Sequence, residues 1–242
     1  MTTSCAKCPL HRSALYVPHT ADDIRFMQKF KVGELVIDPG ATLLMEGSNS
    51  PQLYTALRGL GLRYKMLSNG KRQVLNLVFP GDFIGLQAGV MGEMQHSVEA
   101  SSAMTLCVFD RQEFWTFFRT HPERAFDLTW LAAMEEHFLG EALASVGQRS
   151  ATEKVAWALV RIVQRGRVLN MLDQNHMTLP YKQQDLADAL GLSLVHTNKT
   201  LGKLRDRQLA TWTDGVLTVP DLSALAKAAE MELEDLPQRP LM

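Results

Sequence analysis

The sequence predicts an α+β chain with a β-rich N-terminal region, one long central helix and a C-terminal winged helix-turn-helix. Three observations carry this expectation. Turn signals recur at short intervals between β-branched and aromatic pieces across residues 33–109. The apolar period then changes to helical spacing over 123–145. Finally, the stretch 179–209, LPYKQQDLADALGLSLVHTNKTLGKLRDRQL, reads as two short helices separated by a Gly-containing break.

Length and composition bound the rest. The 242 residues suffice for two modest domains, each with a core of its own. No apolar run is long enough to span a membrane, and the first residues lack the charged-then-apolar pattern of a secretion signal. The expectation is a cytoplasmic protein without a membrane partner. Three cysteines, Cys5, Cys8 and Cys107, are too few and odd in number for a disulfide framework. The formal charge is -1, but from Gln148 to Ala210 ten Lys or Arg stand against five acids, a local excess of +5. Local sign governs attraction to a phosphate backbone, so the whole-chain total does not exclude nucleic acid.

Taken in order, residues 1–23 form a polar, irregular leader holding the Cys5/Cys8 pair, and 24–30 has the spacing of a short helix. The region 24–122 is expected to be a sandwich or barrel. Its turns are Asp38-Pro39-Gly40, Glu46-Gly47-Ser48-Asn49, Ser68-Asn69-Gly70 and Pro80-Gly81-Asp82. Strands are expected at 34–37, 42–45, 53–57, 61–67, 73–79 and 104–109, with the cleanest hairpin turning at Asn69-Gly70.

In 123–147 the stripe Leu128, Leu131, Met134, Phe138 and Ala142 marks a helix apolar on more than one side. Such a helix needs covering twice, by its own β-region and by a second copy of the chain. Gly147 to Ser150 reads as a hinge into the last region, 148–242. That region opens with a helix at 152–169, followed by a polar connector at 171–177.

The helix pair comes next. Leu186 and Leu190 share one face of a first helix at 182–190; Gly191 suits the positive φ that ends it, and Ser193 is an N-cap for a second at 194–206. Thr197, Leu201 and Leu204 point inward. His196, Asn198, Lys199, Thr200 and Lys203 make a polar, basic outer face. Trp212, Val216, Leu217 and Val219 flank Asp214-Gly215, the signature of a tight hairpin and hence of a wing. A terminal helix is expected at 222–233, with loose residues after it.

The ordered segments PGATLLMEG, YTALRGLGLRYKMLSNGKRQVLNLVFPGDFIG, VFDRQEFW, QQDLADALGLSLVHTNKTLGKLRDRQLA and GVLTVPDLSAL closely resemble the Crp/Fnr family of bacterial transcription regulators. The resemblance covers nearly the whole chain. It implies an N-terminal cyclic-nucleotide-binding-type β-roll, a long dimerisation helix and a C-terminal winged helix-turn-helix. The function it implies is a homodimer binding an inverted-repeat operator in double-stranded DNA, with RNA polymerase as a further partner.

Residue by residue, the resemblance places Leu194, Val195, His196 and Lys199 at base edges. Lys182, Gln183, Gln184, Asn198, Lys203, Arg205 and Arg207 fall at phosphates. Leu194, Val195 and Lys199 stand where the family often has Arg, Glu and Arg, so the familiar half-site does not carry over. Val195 cannot accept from a cytosine amino group, whereas its methyls suit a thymine methyl; His196 and Lys199 can donate to guanine.

Two sensing branches are implied only in part. Cyclic AMP sites of the family carry an Arg before a Ser; here His96 precedes Ser97, and neither Asp82 nor Leu86 restores the lost contacts, which speaks against cyclic AMP. The iron–sulfur branch uses four cysteines. Cys5, Cys8 and Cys107 match three of them, so an iron–sulfur cluster or zinc would need His11, His19 or an outside ligand to complete it. An inert thiol set or a dithiol switch are the other readings of the same residues. No nucleophile elbow, P-loop or zinc-protease pattern is present, and a cupin-like metal site would find only His96 in the β-region, so no enzyme is expected. The alternative to a regulator is a small-molecule or protein-sensing module with weak or vestigial DNA binding.

Overall fold

Short apolar strands cannot bury both faces alone, and here eight of them stack as two four-stranded antiparallel sheets. They are β1 (Lys31–Ile37), β2 (Thr42–Leu44), β3 (Gln52–Arg58), β4 (Gly61–Met66), β5 (Arg72–Val78), β6 (Phe83–Ile84), β7 (Ser97–Ala100) and β8 (Met104–Asp110). One sheet runs β1-β8-β3-β6 and the other β2-β7-β4-β5. Leu106 of β8 is paired with Leu35 on one side and Ala56 on the other. It is fully buried in a core shared with Tyr54, Val78, Ile84 and Val98, the β-roll expected from the turn spacing. The structure, a computed structural model, describes residues 2–242.

All six expected strands form, with ends shifted by a few residues. β6 and β7 were not anticipated; two and four residues long, they are too short for a period to register. Around the sheets lie α1 (Ala21–Phe30), α2 (Leu86–Met91) and α3 (Phe114–Thr120). Thr20 and Asp23 close a capping box on α1. Its Phe30 stacks on Phe109 of β8, ring centroids 4.9 Å apart, in a second apolar cluster with Leu53, Phe83 and Phe117.

The long helix is α4 (Pro122–Gln148), followed by α5 (Ala151–Val168), whose capping box uses Ser150 and Glu153. The chain divides into two compact units. The first takes the residues up to Leu67, Leu75–Glu136 and Gln238–Met242; the second takes Ser68–Val74 and His137–Pro237.

Two residues of the apolar stripe on α4 that were expected at the dimer contact instead take the cover expected from the chain's own β-region. Leu128 and Leu131 are buried in the first unit's own aromatic cluster. Met134, Phe138 and Ala142 are half-buried, and Phe138 stacks on Trp157 of α5 at 6.1 Å within the second unit. The arc of α4 on the other side carries Phe126, Ala133, Gly140 and Leu143 in the open, with Phe126 68% and Leu143 74% exposed. Periodicity reports that a face is covered but not by what.

Residues 17–20 and 231–238 lack regular structure, as expected, but both chain ends are otherwise more ordered than the expectation. The leader forms two 3-10 turns, Cys5–Lys7 and Pro9–Arg12, and then runs beside the tail in a parallel bridge between Tyr16 and Arg239. Tyr16 donates its hydroxyl to the Pro80 carbonyl (2.6 Å), against the Pro80-Gly81-Asp82 turn. Gly81 has φ +87°, and a Cβ there would lie 1.8 Å from the Tyr16 oxygen. Gly70 has a similar φ, +78°, with open space around it.

These two glycines separate backbone strain from collision. Gly70→Ala should cost about 1 kcal/mol, the penalty for a side chain in left-handed backbone. Gly81→Ala must also push Tyr16 out of place and should cost more than about 3 kcal/mol. Urea denaturation of the two variants measures the difference; equal losses would refute the packing of Tyr16 on this turn.

Candidate nucleic-acid interface

The second unit builds its outer surface from a helix pair on a small sheet. α6 (Gln183–Leu190) ends where Gly191 takes φ +65° and its N–H donates to the Ala187 carbonyl. Ser193 then caps α7 (Leu194–Asp206), its hydroxyl accepting from the His196 N–H at 3.2 Å. Thr197, Thr200, Leu201 and Leu204 are buried, and the Thr200 hydroxyl is consumed by the His196 carbonyl (2.8 Å). Thr200 thus leaves the outer face on which it was expected.

The apolar positions of α7 pack inward, which forces the first turn outward. Leu194, Val195, His196, Asn198 and Lys199 are all exposed, Val195 at 78%. Lys203, Arg205 and Arg207 continue this open surface, with Arg205 3.4 Å from the neighbouring Asp206. An exposed valine in a helix's first turn has no folding role and suits an apolar contact outside the chain.

Below it, β9 (Leu172–Asp173), β10 (His176–Thr178), β11 (Thr211–Thr213) and β12 (Val216–Thr218) form a sheet in the order β11-β12-β10-β9. Asp214 and Gly215 both have positive φ, the geometry of the expected tight hairpin. The stretch read as a polar connector is another hairpin, β9–β10; with two and three residues its strands leave almost no alternation to read. The final helix, α8 (Leu222–Ala228), stops earlier than expected. No helix among the described residues is long and apolar enough to cross a membrane.

Two acids on α6 would oppose a phosphate backbone if left unpaired. Arg72, from the segment 68–74 of the same unit, meets both: Nη2 is paired with Asp185, and Nε lies 2.8 Å from Asp188. Asp185 also accepts from the Lys182 N–H at 2.7 Å, and Gln184 donates to Asp188 at 2.6 Å. Lys182 and Gln184 remain exposed at the start of α6, with Gln183 half-buried. Arg72 was missed in the sequence, since nothing local connects residues 113 positions apart.

In the first unit, buried His96 lies beside Arg63, whose Nη1 is 3.1 Å from Glu135 and whose Nη2 donates to the Phe83 carbonyl (3.0 Å). Asn76 donates to the same Glu135 carboxylate (3.0 Å), and the Ser97 hydroxyl accepts from the Glu46 N–H (3.0 Å). Burial, with the Arg63 charge, lowers the His96 pKa to about 4, so the imidazole is neutral.

Cys5, Cys8 and Cys107 line one cavity together with His11 and His19. Burial raises the pKa of all three thiols, that of Cys107 to about 11. Among the described residues, no group of three or more His, Cys, Asp or Glu side chains is disposed to hold a metal ion. The cysteines expected as ligands therefore share a cavity without forming a coordination shell, and the arrangement does not fit a cluster or zinc as it stands.

A β-roll followed by a winged helix-turn-helix with an open first turn defines a DNA-binding regulator. Residues 34–121 match the cyclic nucleotide-binding domain family, and residues 153–228 match the Crp-like helix-turn-helix domain family. The chain is 31% identical to the transcriptional activatory protein AadR of Rhodopseudomonas palustris, over 74% of each chain. It is 29% identical to the nitrogen fixation regulation protein FixK of Bradyrhizobium diazoefficiens, over 93% of this chain and 94% of that one. The fold of FixK2 from Bradyrhizobium japonicum superposes with a TM-score of 0.74 at 21% identity, covering 83% of this chain and 98% of that one. The chain belongs to the Crp/Fnr family of bacterial transcription regulators. This is a family of non-catalytic, DNA-binding proteins.

A depressed histidine pKa has a stability consequence. As pH falls below the ordinary value of 6.5, the unfolded chain takes up a proton at His96 that the folded chain refuses until about pH 4. Stability present at pH 7 is therefore lost between pH 6.5 and 4. The drop between pH 7 and pH 5 should reach up to about 2 kcal/mol for this group. His96→Gln should flatten that part of the profile in urea melts; an unchanged profile would refute the assignment.

Proposed function

We propose that two copies of this chain bind an inverted-repeat operator in the cytoplasm, each laying α7 in a major groove, with RNA polymerase as a further partner. The observation that carries the proposal is the division of α7 into a buried side, Thr197, Thr200, Leu201 and Leu204, and an open side that begins with Leu194, Val195, His196, Asn198 and Lys199. On this reading Leu194, Val195, His196 and Lys199 meet base edges, Val195 against a thymine methyl and Lys199 at guanine. Lys182, Gln183, Gln184, Asn198, Lys203, Arg205 and Arg207 meet phosphates and fix the register.

The division 1–23, 24–122, 123–147 and 148–242 then corresponds to leader, sensor, dimerisation helix and DNA-binding domain. Within the dimerisation helix the burial of Leu128 and Leu131 moves the partner face to the opposite arc, Phe126, Ala133, Gly140 and Leu143. The first three lie seven residues apart, a coiled-coil spacing, and small Ala133 and Gly140 suit close approach. Two-fold symmetry then places the recognition helices on successive faces of the duplex.

Lys199→Ala should cost about 1–3 kcal/mol on the best duplex and relax preference at one base pair. Lys203→Ala should weaken all duplexes alike and reduce the salt slope by about 1. Binding to a selected operator and to random duplex at several salt concentrations distinguishes them; matching losses on both duplexes for both variants would remove Lys199 from base reading.

Leu143→Asp should convert a dimer to a monomer at micromolar concentration in sedimentation velocity, and weaken operator binding with it, by placing a charge in an apolar seam. Leu143→Ala should remain dimeric. A Leu143→Asp chain that still sediments as a dimer would refute this face.

A further inference from the structure

The segment Gln238–Met242 is held by the first unit through hydrogen bonds at Gln238, Arg239, Leu241 and Met242, and Pro240 between them is buried. Gln238 donates its side-chain amide to the Ala14 carbonyl at 3.2 Å. Arg239 pairs with the leader as a strand would: its N–H donates to the Leu15 carbonyl (2.8 Å), and its carbonyl accepts from the Val17 N–H (3.0 Å). Its guanidinium lies 3.0 Å from the Asp82 carboxylate, and both side chains are largely buried. Leu241 and Met242 are buried as completely as core residues. The Leu241 carbonyl accepts from His19 Nε2 (3.0 Å), while that of Met242 accepts from the Thr55 hydroxyl.

The position of these residues matters more than their number of bonds. Leu241 and Met242 form part of the wall of the cavity lined by Cys5, Cys8 and Cys107. His19, which grips Leu241, lies with Nδ1 3.1 Å from His11 Nε2 on the same cavity. Because a carbonyl only accepts, His19 Nε2 carries a hydrogen. In the neutral ring Nδ1 is then an acceptor for His11, so the two imidazoles run in one direction toward the tail.

We propose that Gln238–Met242 is a peptide ligand supplied in cis. It occupies a groove formed by the leader and the Pro80-Gly81-Asp82 turn, and it walls one side of the thiol cavity, so that the half-buried cysteines become more accessible when it lifts. The groove recognises Arg-Pro followed by two apolar residues: Asp82 takes the Arg, backbone pairing fixes the register, and the apolar pair fills the cavity wall. The chain enters this groove directly from Pro237, the last residue of the unit that carries α7. Occupancy of the groove therefore sets how that unit's end is tethered.

The test is the rate at which N-ethylmaleimide alkylates each cysteine in the folded full-length chain, resolved by mass spectrometry. Arg239→Ala, which removes the ion pair and leaves the backbone pairing possible, and Leu241→Asp, which ejects the apolar anchor, should each accelerate alkylation of Cys8 and Cys107 by about 10-fold or more. A chain ending at Pro237 should react faster still, and a synthetic peptide spanning 237–242, added in trans, should slow it again. The same peptide with Arg239→Ala should not. Rates unchanged in the two full-length variants would overturn the proposal. So would a folded shortened chain, checked by circular dichroism, whose thiols are indifferent to the peptide. Should the shortened chain fail to fold, the two full-length variants decide.

Discussion

Everything in this chain depends on how one long helix disposes of its apolar surface. α4 is 27 residues long and carries hydrophobic side chains around most of its circumference. A helix of that kind is stable in water only when covered on several sides. Leu128 and Leu131 satisfy one side inside an aromatic cluster with Phe109 and Phe117. Phe138 satisfies a further stretch against Trp157. The remaining arc, with Phe126 and Leu143 in the open, stays uncovered within one chain. An apolar seam of small and large residues at seven-residue spacing is costly to expose and suited to a second helix. The symmetry of the proposed operator follows from that seam, since a two-fold pairing of α4 duplicates α7.

The DNA-facing surface illustrates how a protein with a formal charge of -1 can approach a polyanion. Its cations are concentrated on α7 and at the start of α6, while the two acids on α6 share the single positive charge of Arg72. Those pairs are partly buried, so salt screens them less than it screens the exposed lysines. Pairing both acids with one guanidinium halves the negative charge that they present. On the proposed reading His196 and Lys199, both exposed, are the residues that discriminate between bases. The absence of an acid in the first turn of α7 follows the same logic: with Val195 there, the surface offers methyl groups and no carboxylate.

Features that depend on neighbouring residues were legible in the sequence. α7 runs over the range expected, because Gly191, Ser193 and the spacing of Thr197, Leu201 and Leu204 are local signals. The wing followed from Asp214-Gly215, and the six main β-roll strands from glycine turns. What stayed hidden depends on distant partners. Arg72 reads as an ordinary charge beside a turn until Asp185 is seen against it. The tail, ending in Gln-Arg-Pro-Leu-Met, has only two apolar residues and looks unable to fold; its partners lie more than 150 positions away in Asp82, Thr55 and His19. Leu128 and Leu131 left the expected dimer stripe for a related reason: periodicity identifies an apolar stripe, and the first claim on it came from the chain's own core.

The cysteines show how the same non-local contacts bear on chemistry. A thiol reacts with an electrophile, or binds a metal, as its thiolate, and the thiolate is penalised by burial. All three thiols have raised pKa values, and desolvation is the leading cause for each. Lys31 opposes this at Cys107, but its ammonium is already engaged by Glu34 and the Thr3 carbonyl, both at 2.7 Å. Leu241 and Met242 are part of the cavity wall, so the tail that narrows access also contributes to the desolvation that raises the thiol pKa values. Lifting it changes both factors in the same direction: water enters, the thiolate becomes less costly, and the path to it opens. Two terms that multiply in a rate make a sharper gate than either alone, and that gate is built from a peptide continuous with the DNA-binding unit.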